Sequence, residues 1–181
     1  ELGIYKQNTK QRLSVSLKKS DFVANRLSDS YLYGINHPYG SYTNSEDIDA
    51  LNSSMLKDYF RQYYLNGQCV IFVSGKLPGD IQQQLNAVFG SLSLKAFGNR
   101  LPVIAQAPAA EKKYRVQNDA NGVQGSIRIA RPFPNRHHPD FMKVMVLNTV
   151  FGGFFGSRLM SNIREDKGYT YGIHSYVQNH I

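Results

Sequence analysis

Few side chains in this chain of 181 residues are of the kinds that hold metals or act as nucleophiles. Its five histidines are His37, His137, His138, His174 and His180. The pattern H-x-x-E-H, which sets two imidazoles and a general base on one helix face, does not occur. His137 and His138 are adjacent, so on a helix or a strand they diverge, and before Pro139 they read as loop residues. His174 reads as a partly exposed strand residue. Zinc needs three or four converging ligands, and these spacings offer none, so the expected metal set within the chain is empty. Cys69, the one cysteine, lies in an apolar run and reads as a small buried hydrophobe. A single thiol permits no internal disulfide and does not decide the compartment. The densest candidate lies later, in Gly152-Gly153-Phe154-Phe155-Gly156-Ser157-Arg158-Leu159-Met160, followed by Ile163-Arg164-Glu165-Asp166-Lys167-Gly168-Tyr169-Thr170-Tyr171-Gly172. This glycine bend is not a phosphate-binding loop, because the lysine and the spacing are wrong. Gly153-Phe154-Phe155-Gly156 matches the G-x-x-G of a KH domain only as four letters. Small residues at a tight helix–helix bend are the plain alternative.

The elements that must position this stretch follow from periodicity. Ser157 is a suitable N-cap and Gly168 a suitable left-handed C′ residue. Between them Leu159, Met160 and Ile163 give an apolar stripe at helical spacing. At the end of that helix Arg164 suits the dipole, and Tyr171 suits a strand over 169–177. Upstream, residues 141–151 are almost wholly apolar and predict a buried helix. Residues 114–117 and 126–133 flank an Asn/Asp/Gly turn and predict a hairpin, with Ile127 and Ile129 on its buried face. Residues 91–108 carry Gly98, Pro102 and Pro108 and read as a connecting loop. Helices are expected over 15–33, over 53–64 and, capped by Asp80, over 80–89. A buried strand is expected over 69–74. Helices and antiparallel strands mixed without a βαβ repeat predict an α+β fold.

The bulk numbers limit the function classes. Hydrophobic residues make up 41% and aromatics 12%, which suits one packed unit over residues 1–181 rather than a disordered chain. The net charge is +8, but Lys18-Lys19, Lys112-Lys113, Arg128, Arg131 and Arg136 are dispersed. No nucleic-acid motif accompanies them, so a solvated basic face is the better reading, and nucleic acid is not an expected partner. No apolar run reaches membrane-spanning length, and no signal peptide is in view. The chain starts without Met and stops just after a strand, so it reads as truncated at both ends.

The order of features is more specific than any one of them. His37-Pro38-Tyr39-Gly40 precedes a helix ending Tyr63-Tyr64-Leu65-Asn66. An apolar run ending at Gly75 follows, and then a helix closing with Phe89-Gly90-Ser91-Leu92. Together with G-G-x-x-G-S-R-L-x-x-x-I-R-E-x-K-G-x-x-Y, this series resembles the pitrilysin/insulinase-type zinc metallopeptidases, in the half that does not hold zinc. The likeness runs from about Ala24 to Tyr176. It implies a mostly antiparallel sheet with helices packed on one face. It also implies a non-catalytic, substrate-binding half of a zinc endopeptidase, with the zinc in a partner half domain or subunit and no cofactor in this chain. In that family an arginine and a tyrosine in this arrangement reach across to the metal site, which assigns Arg164 and Tyr171 as assisting residues. A phenol O–H there stabilises the oxyanion of peptide hydrolysis, and a guanidinium holds a substrate carbonyl or carboxylate. In related processing-peptidase subunits the glycine stretch handles substrate, which points to Gly152, Gly153, Phe154, Phe155 and Gly156. Peptide is the implied substrate, and the bacterial periplasm or cell envelope the implied place. The alternatives are a purely structural member of the same fold, like the core proteins of the respiratory bc1 complex, and an unrelated basic nucleic-acid-binding module.

Overall fold

A computed structural model describes residues 1–65, 69–92, 104–111 and 113–180. It divides into two compact units, Glu1–Ile129 and Ala130–Ile181. In the first unit, α1 (Leu2–Leu17) is followed by α2 (Ser20–Tyr33) after a break at Lys18 and Lys19. Only the second helix and the end of the first are foreshadowed by the apolar spacing over 15–33. Helix α1 has no capping side chain and no apolar stripe, so its sequence carries little helix signal. What holds it is α3 (Ser45–Ala50), whose Ile48 is buried. Lys10 Nζ bridges Asp49 at 2.7 Å, and Lys6 Nζ donates to the Asp49 carbonyl at 2.9 Å. Such exposed ion pairs contribute at most about 1 kcal/mol. Helix α3 starts at Asn44, whose N–H donates to Asp47 Oδ2 at 2.7 Å, a carboxylate reaching back over the first turn.

Helix α4 (Ser53–Tyr59) is capped by Asn52, which accepts from the Met55 N–H at 3.0 Å. It widens into a π-helical turn, Phe60–Leu65, along which Tyr59, Phe60, Tyr63 and Tyr64 stack on one another. Helix α5 (Ile81–Phe89) follows the expected bounds. Asp80 does not cap it through its side chain, and instead its carboxylate accepts from Gln84 Nε2 at 3.1 Å. Past α2, the Ala107 and Ala109 N–H groups donate to the carbonyls of Tyr33 and Tyr31, and Tyr114 stacks on Tyr31 at 3.8 Å. The rest of the expected loop, 93–103, lies outside the described residues, as does Gly67. His37 is buried between Tyr33 and Tyr39, and its Nδ1 accepts the Tyr39 N–H at 3.2 Å.

In the second unit α6 (Phe141–Asn148) runs into a π-helical turn, Thr149–Gly153. A bend over 154–157 leads to a second helical stretch over 158–166, π-helical across Met160–Asp166.

The α+β expectation is overturned. Among the described residues every regular element is helical, and no strand or sheet is formed. Residues 69–74, 114–117, 126–133 and 169–177 lack the strand pairing expected of them. Alternation makes a strand only where a partner in register covers the apolar face, and an isolated pair is marginal in water. Here Ile127 and Ile129, expected inside, are 89% and 95% exposed, and Phe72 is 92% exposed. Cys69 is exposed rather than buried. The turn of the expected hairpin does form, with the Asn121 N–H donating to Asp119 Oδ1 at 2.9 Å, but its arms do not pair. Helix α6 is likewise not buried, since Met142, Val146 and Leu147 face solvent. An apolar segment names a surface that wants cover, not the cover it receives.

Candidate functional site

The glycine bend organises the second unit. Gly152 leaves the helical conformation (φ −157°, ψ 15°) and packs directly on Ser175. The Ser175 N–H donates to the Gly152 carbonyl at 2.9 Å, and Asn148 Nδ2 donates to the Ser175 carbonyl at 3.2 Å. Any side chain at 152 would collide here: an added Cβ lies 2.7 Å from the Ser175 nitrogen and 2.9 Å from Leu159 Cδ1. The requirement for glycine is thus close approach rather than a left-handed backbone. The Ser157 N–H closes the bend onto the Phe154 carbonyl at 3.1 Å.

Ser157 does not cap the helix that follows. Its hydroxyl is buried and has no hydrogen-bond partner among the described residues, as is true of the Ser175 hydroxyl. The far end of the helix matches expectation. Gly168 takes φ +63°, its N–H donates to the Arg164 carbonyl, and the Tyr169 N–H reaches back to Ile163. This closure is one residue wider than an ordinary Schellman end because the helix is already π-wound.

A cavity of about 280 Å³ lies between the bend and the segment after Tyr171. Gly152, Gly153, Phe154, Phe155 and Met160 line one side, and Gly172, Ile173 and His174 the other. Four of the five bend residues singled out from the sequence therefore meet in one place. Gly156 is not in the lining; it lies beneath the Phe154 ring, where an added Cβ would sit 2.9 Å from Cε2. The Arg164 guanidinium rests over the Phe155 ring, 4.7 Å from its centroid. Tyr171 adjoins the cavity only through its chain neighbour Gly172. It is 97% exposed and makes no hydrogen bond or ring contact with the described residues. Tyr169 is exposed as well. Thr170 Oγ1 donates to the Gly172 carbonyl at 2.9 Å, and the chain bends at Tyr171. Beyond that bend Ile173, Ser175 and Val177 turn inward while His174 and Tyr176 face out.

Two residues of the site carry no individual signal in the sequence. Ile173 and His174 line the cavity because the Gly152–Ser175 hydrogen bond brings residues 172–174 against the bend, a contact across more than twenty residues, while the His174 side chain stays exposed.

The remaining candidates are structural. His138 Nδ1 accepts the Asp140 N–H at 3.2 Å, and Asn135 Oδ1 accepts the His137 N–H, so this pair shapes the entry to α6. Among the described residues no three His, Cys, Asp or Glu side chains converge as metal ligands, so the residues present do not fit a zinc site. No described helix is long and apolar enough to cross a membrane. Of the titrating groups, the Tyr33 phenol is pushed above its usual range, first by burial and then by Asp29 and Tyr39.

A family profile described as "Peptidase M16 inactive domain" matches residues 50–180, through both units. An uncharacterized zinc protease of Bacillus subtilis (strain 168), YmxG, is 29% identical over 161 residues, covering 86% of this chain and 37% of the relative. An uncharacterized zinc protease of Streptomyces coelicolor, SCO5738, is 26% identical over 141 residues, covering 73% of this chain and 30% of the relative. The chain thus spans about a third of the length of the curated relatives it matches. In three dimensions it is similar to the crystal structure of a peptidase M16 inactive domain from Pseudomonas fluorescens. The TM-score is 0.60 at 21% identity, over 98% of this chain and 43% of that one.

Proposed function

Because this chain belongs to the peptidase M16 inactive-domain family, we propose that it is the substrate-binding half of a zinc-dependent endopeptidase, acting with a zinc-bearing half in the same polypeptide or in a partner subunit. In this reading the glycine bend receives peptide, Arg164 holds it, and Tyr171 assists the chemistry in the facing half.

What supports the reading is the disposition of the two polar groups around the cavity. The guanidinium of Arg164 is held on an aromatic wall of the cavity, where its donors remain available to a carbonyl or carboxylate. The Tyr171 phenol has no partner among the described residues and projects into solvent beside Gly172. An uncovered phenol is available to donate to an oxygen that gains negative charge as a peptide bond is attacked, and such a donor contributes about 2.7–4 kcal/mol. The metal belongs to the other half, and no step by this chain's residues depends on holding it.

The test uses the assembled protein with both halves. Tyr171→Phe should lower kcat by about 10²–10³ with little change in KM, because the O–H acts on charge present mainly in the transition state. Arg164→Ala should raise KM and lower kcat together. Tyr169→Phe, two residues earlier, should be near neutral. Equal turnover in wild type and Tyr171→Phe would leave Tyr171 without a catalytic part.

A further inference from the structure

Arg164 sits near the C-terminal end of the helical stretch over 158–166, and its guanidinium lies over the Phe155 ring, 4.7 Å from the centroid. A helical side chain leans back toward the N-terminus of its helix, which here is the side of the glycine bend. Arg164 is half-buried, yet it makes no ion pair and no side-chain hydrogen bond with the described residues. Its neighbours Glu165 and Asp166 are exposed and leave it unpaired, because residues adjacent on a helix do not face each other. Six residues earlier, Arg158 is exposed and rests on no ring among the described residues. The Phe155 ring is thus the one group among the described residues that holds the Arg164 charge by direct contact.

We propose that Phe155 is a positioning residue: it acts on the peptide through Arg164, whose guanidinium its ring holds in place. The inference rests on the substrate-binding reading above and gives one of the two phenylalanines of the bend a task of its own. A carboxylate would hold the cation too, but it would occupy the donors and cancel the charge that a substrate oxygen needs. A ring holds the cation through its quadrupole and leaves the fork of N–H donors unspent. It also restricts a long side chain before the peptide arrives, and the ordering of such a side chain otherwise opposes binding. Phe154 has a different neighbour. Its ring lies on Gly156, where an added Cβ would come within 2.9 Å of Cε2. Phe155, 64% exposed, can be changed without disturbing that packing.

The experiment uses the assembled protein with both halves and an internally quenched peptide selected from a random mixture for cleavage by the wild type. Phe155→Leu keeps an apolar side chain and removes the ring. It should lower kcat/KM about two- to fivefold, the worth of an exposed cation–π contact, with KM and kcat moving in the same directions as in Arg164→Ala. Phe155→Tyr restores a ring and should return kcat/KM to within about twofold of wild type. In an Arg164→Ala background Phe155→Leu should cost nothing further, whereas a ring that touched the substrate itself would cost the same in both backgrounds. Proton NMR with selectively labelled arginine gives a second readout. The ring current should shift the Arg164 side-chain protons upfield in wild type and in Phe155→Tyr and release them in Phe155→Leu, with Ser175 amide exchange unchanged in all three. Full activity of Phe155→Leu, an equal loss with and without Arg164, or Arg164 signals that stay in place in Phe155→Leu overturns the proposal. Release of the Ser175 amide in Phe155→Leu does so as well, since the ring would then be part of the scaffold. If Arg164→Ala matches wild type while the shifts behave as expected, the substrate-binding reading falls and the contact between ring and guanidinium is structural only.

Discussion

One methyl group at Gly152 should open the site. In Gly152→Ala the new Cβ would lie 2.5 Å from Ser175 Oγ, 2.7 Å from the Ser175 nitrogen and 2.9 Å from Leu159 Cδ1. The hydroxyl can rotate away, and the leucine methyl can shift. The backbone nitrogen cannot move without breaking its 2.9 Å hydrogen bond to the Gly152 carbonyl. Overpacking of this kind costs about 1–3 kcal/mol in the attached state. Detachment breaks the same hydrogen bond in wild type and variant, so the strain alone sets the change, about a fivefold to somewhat over a hundredfold rise in the population with residue 175 detached from the bend. Hydrogen exchange reads this directly, because the Ser175 amide is the donor being released. Its exchange should accelerate by that factor, and peptide binding at the bend should weaken with it, since detachment removes Ile173 and His174 from the cavity wall. Gly172→Ala is the control: its Cβ meets nothing within 4 Å, so Ser175 exchange should stay within about 0.5 kcal/mol of wild type. An unchanged Ser175 amide in Gly152→Ala would refute the claim that close packing at this glycine builds the site.

Phe155→Ala should weaken peptide binding about two- to fivefold by freeing Arg164, the worth of an exposed cation–π contact; a double-mutant cycle with Arg164→Ala should show the two losses to be non-additive. The chain by itself should hold no stoichiometric zinc and show no peptidase activity, because its described residues bring no ligand set together; bound zinc by elemental analysis, or cleavage abolished by a chelator, would contradict this. Burial holds the Tyr33 proton more tightly in the folded state, so the stability it contributes is full below the ordinary tyrosine value of 10.0 and is lost as pH rises through the raised folded value. In an ultraviolet titration of the 12 tyrosines, Tyr33→Phe should remove a late-ionising component; if that component persists, the Tyr33 environment is other than described.

What could be read from the sequence is mostly what is local. The bounds of α5 followed from its apolar spacing, and the left-handed end at Gly168 followed from glycine placed just past a helix. The four lining residues of the bend lie within four consecutive positions, so one motif finds them all. The failures are long-range. Ile127 and Ile129 alternate with polar neighbours as a half-buried strand would, yet whether a partner strand covers them is not written in the alternation. Helix α1 escaped notice because its support comes from Asp49 and Ile48, some forty residues away, rather than from its own residues. His174 reads alone as a partly exposed strand residue and is exposed, and only the hydrogen bond between Gly152 and Ser175 brings residues 172–174 against the bend.

The division of labour at the bend explains why glycine and serine, not the reactive-looking side chains, fix its geometry. Gly152 and Ser175 lock backbone to backbone, and Ser157, 1% exposed, fills the turn beneath. The groups left uncovered are those a peptide could use: the Phe154 and Phe155 rings, the Arg164 guanidinium propped on one of them, the Tyr171 phenol and the His174 imidazole. Had these side chains supplied the packing, their donors and ring faces would already be spent on the protein itself. Removing an exposed group should therefore change what is bound or how fast it reacts while leaving Ser175 exchange intact, whereas removing an anchor should do the reverse first. Comparing amide exchange at Ser175 across Gly152→Ala, Tyr171→Phe and His174→Leu separates the two classes. If Tyr171→Phe or His174→Leu releases the Ser175 amide as Gly152→Ala does, those side chains are part of the scaffold and the division fails.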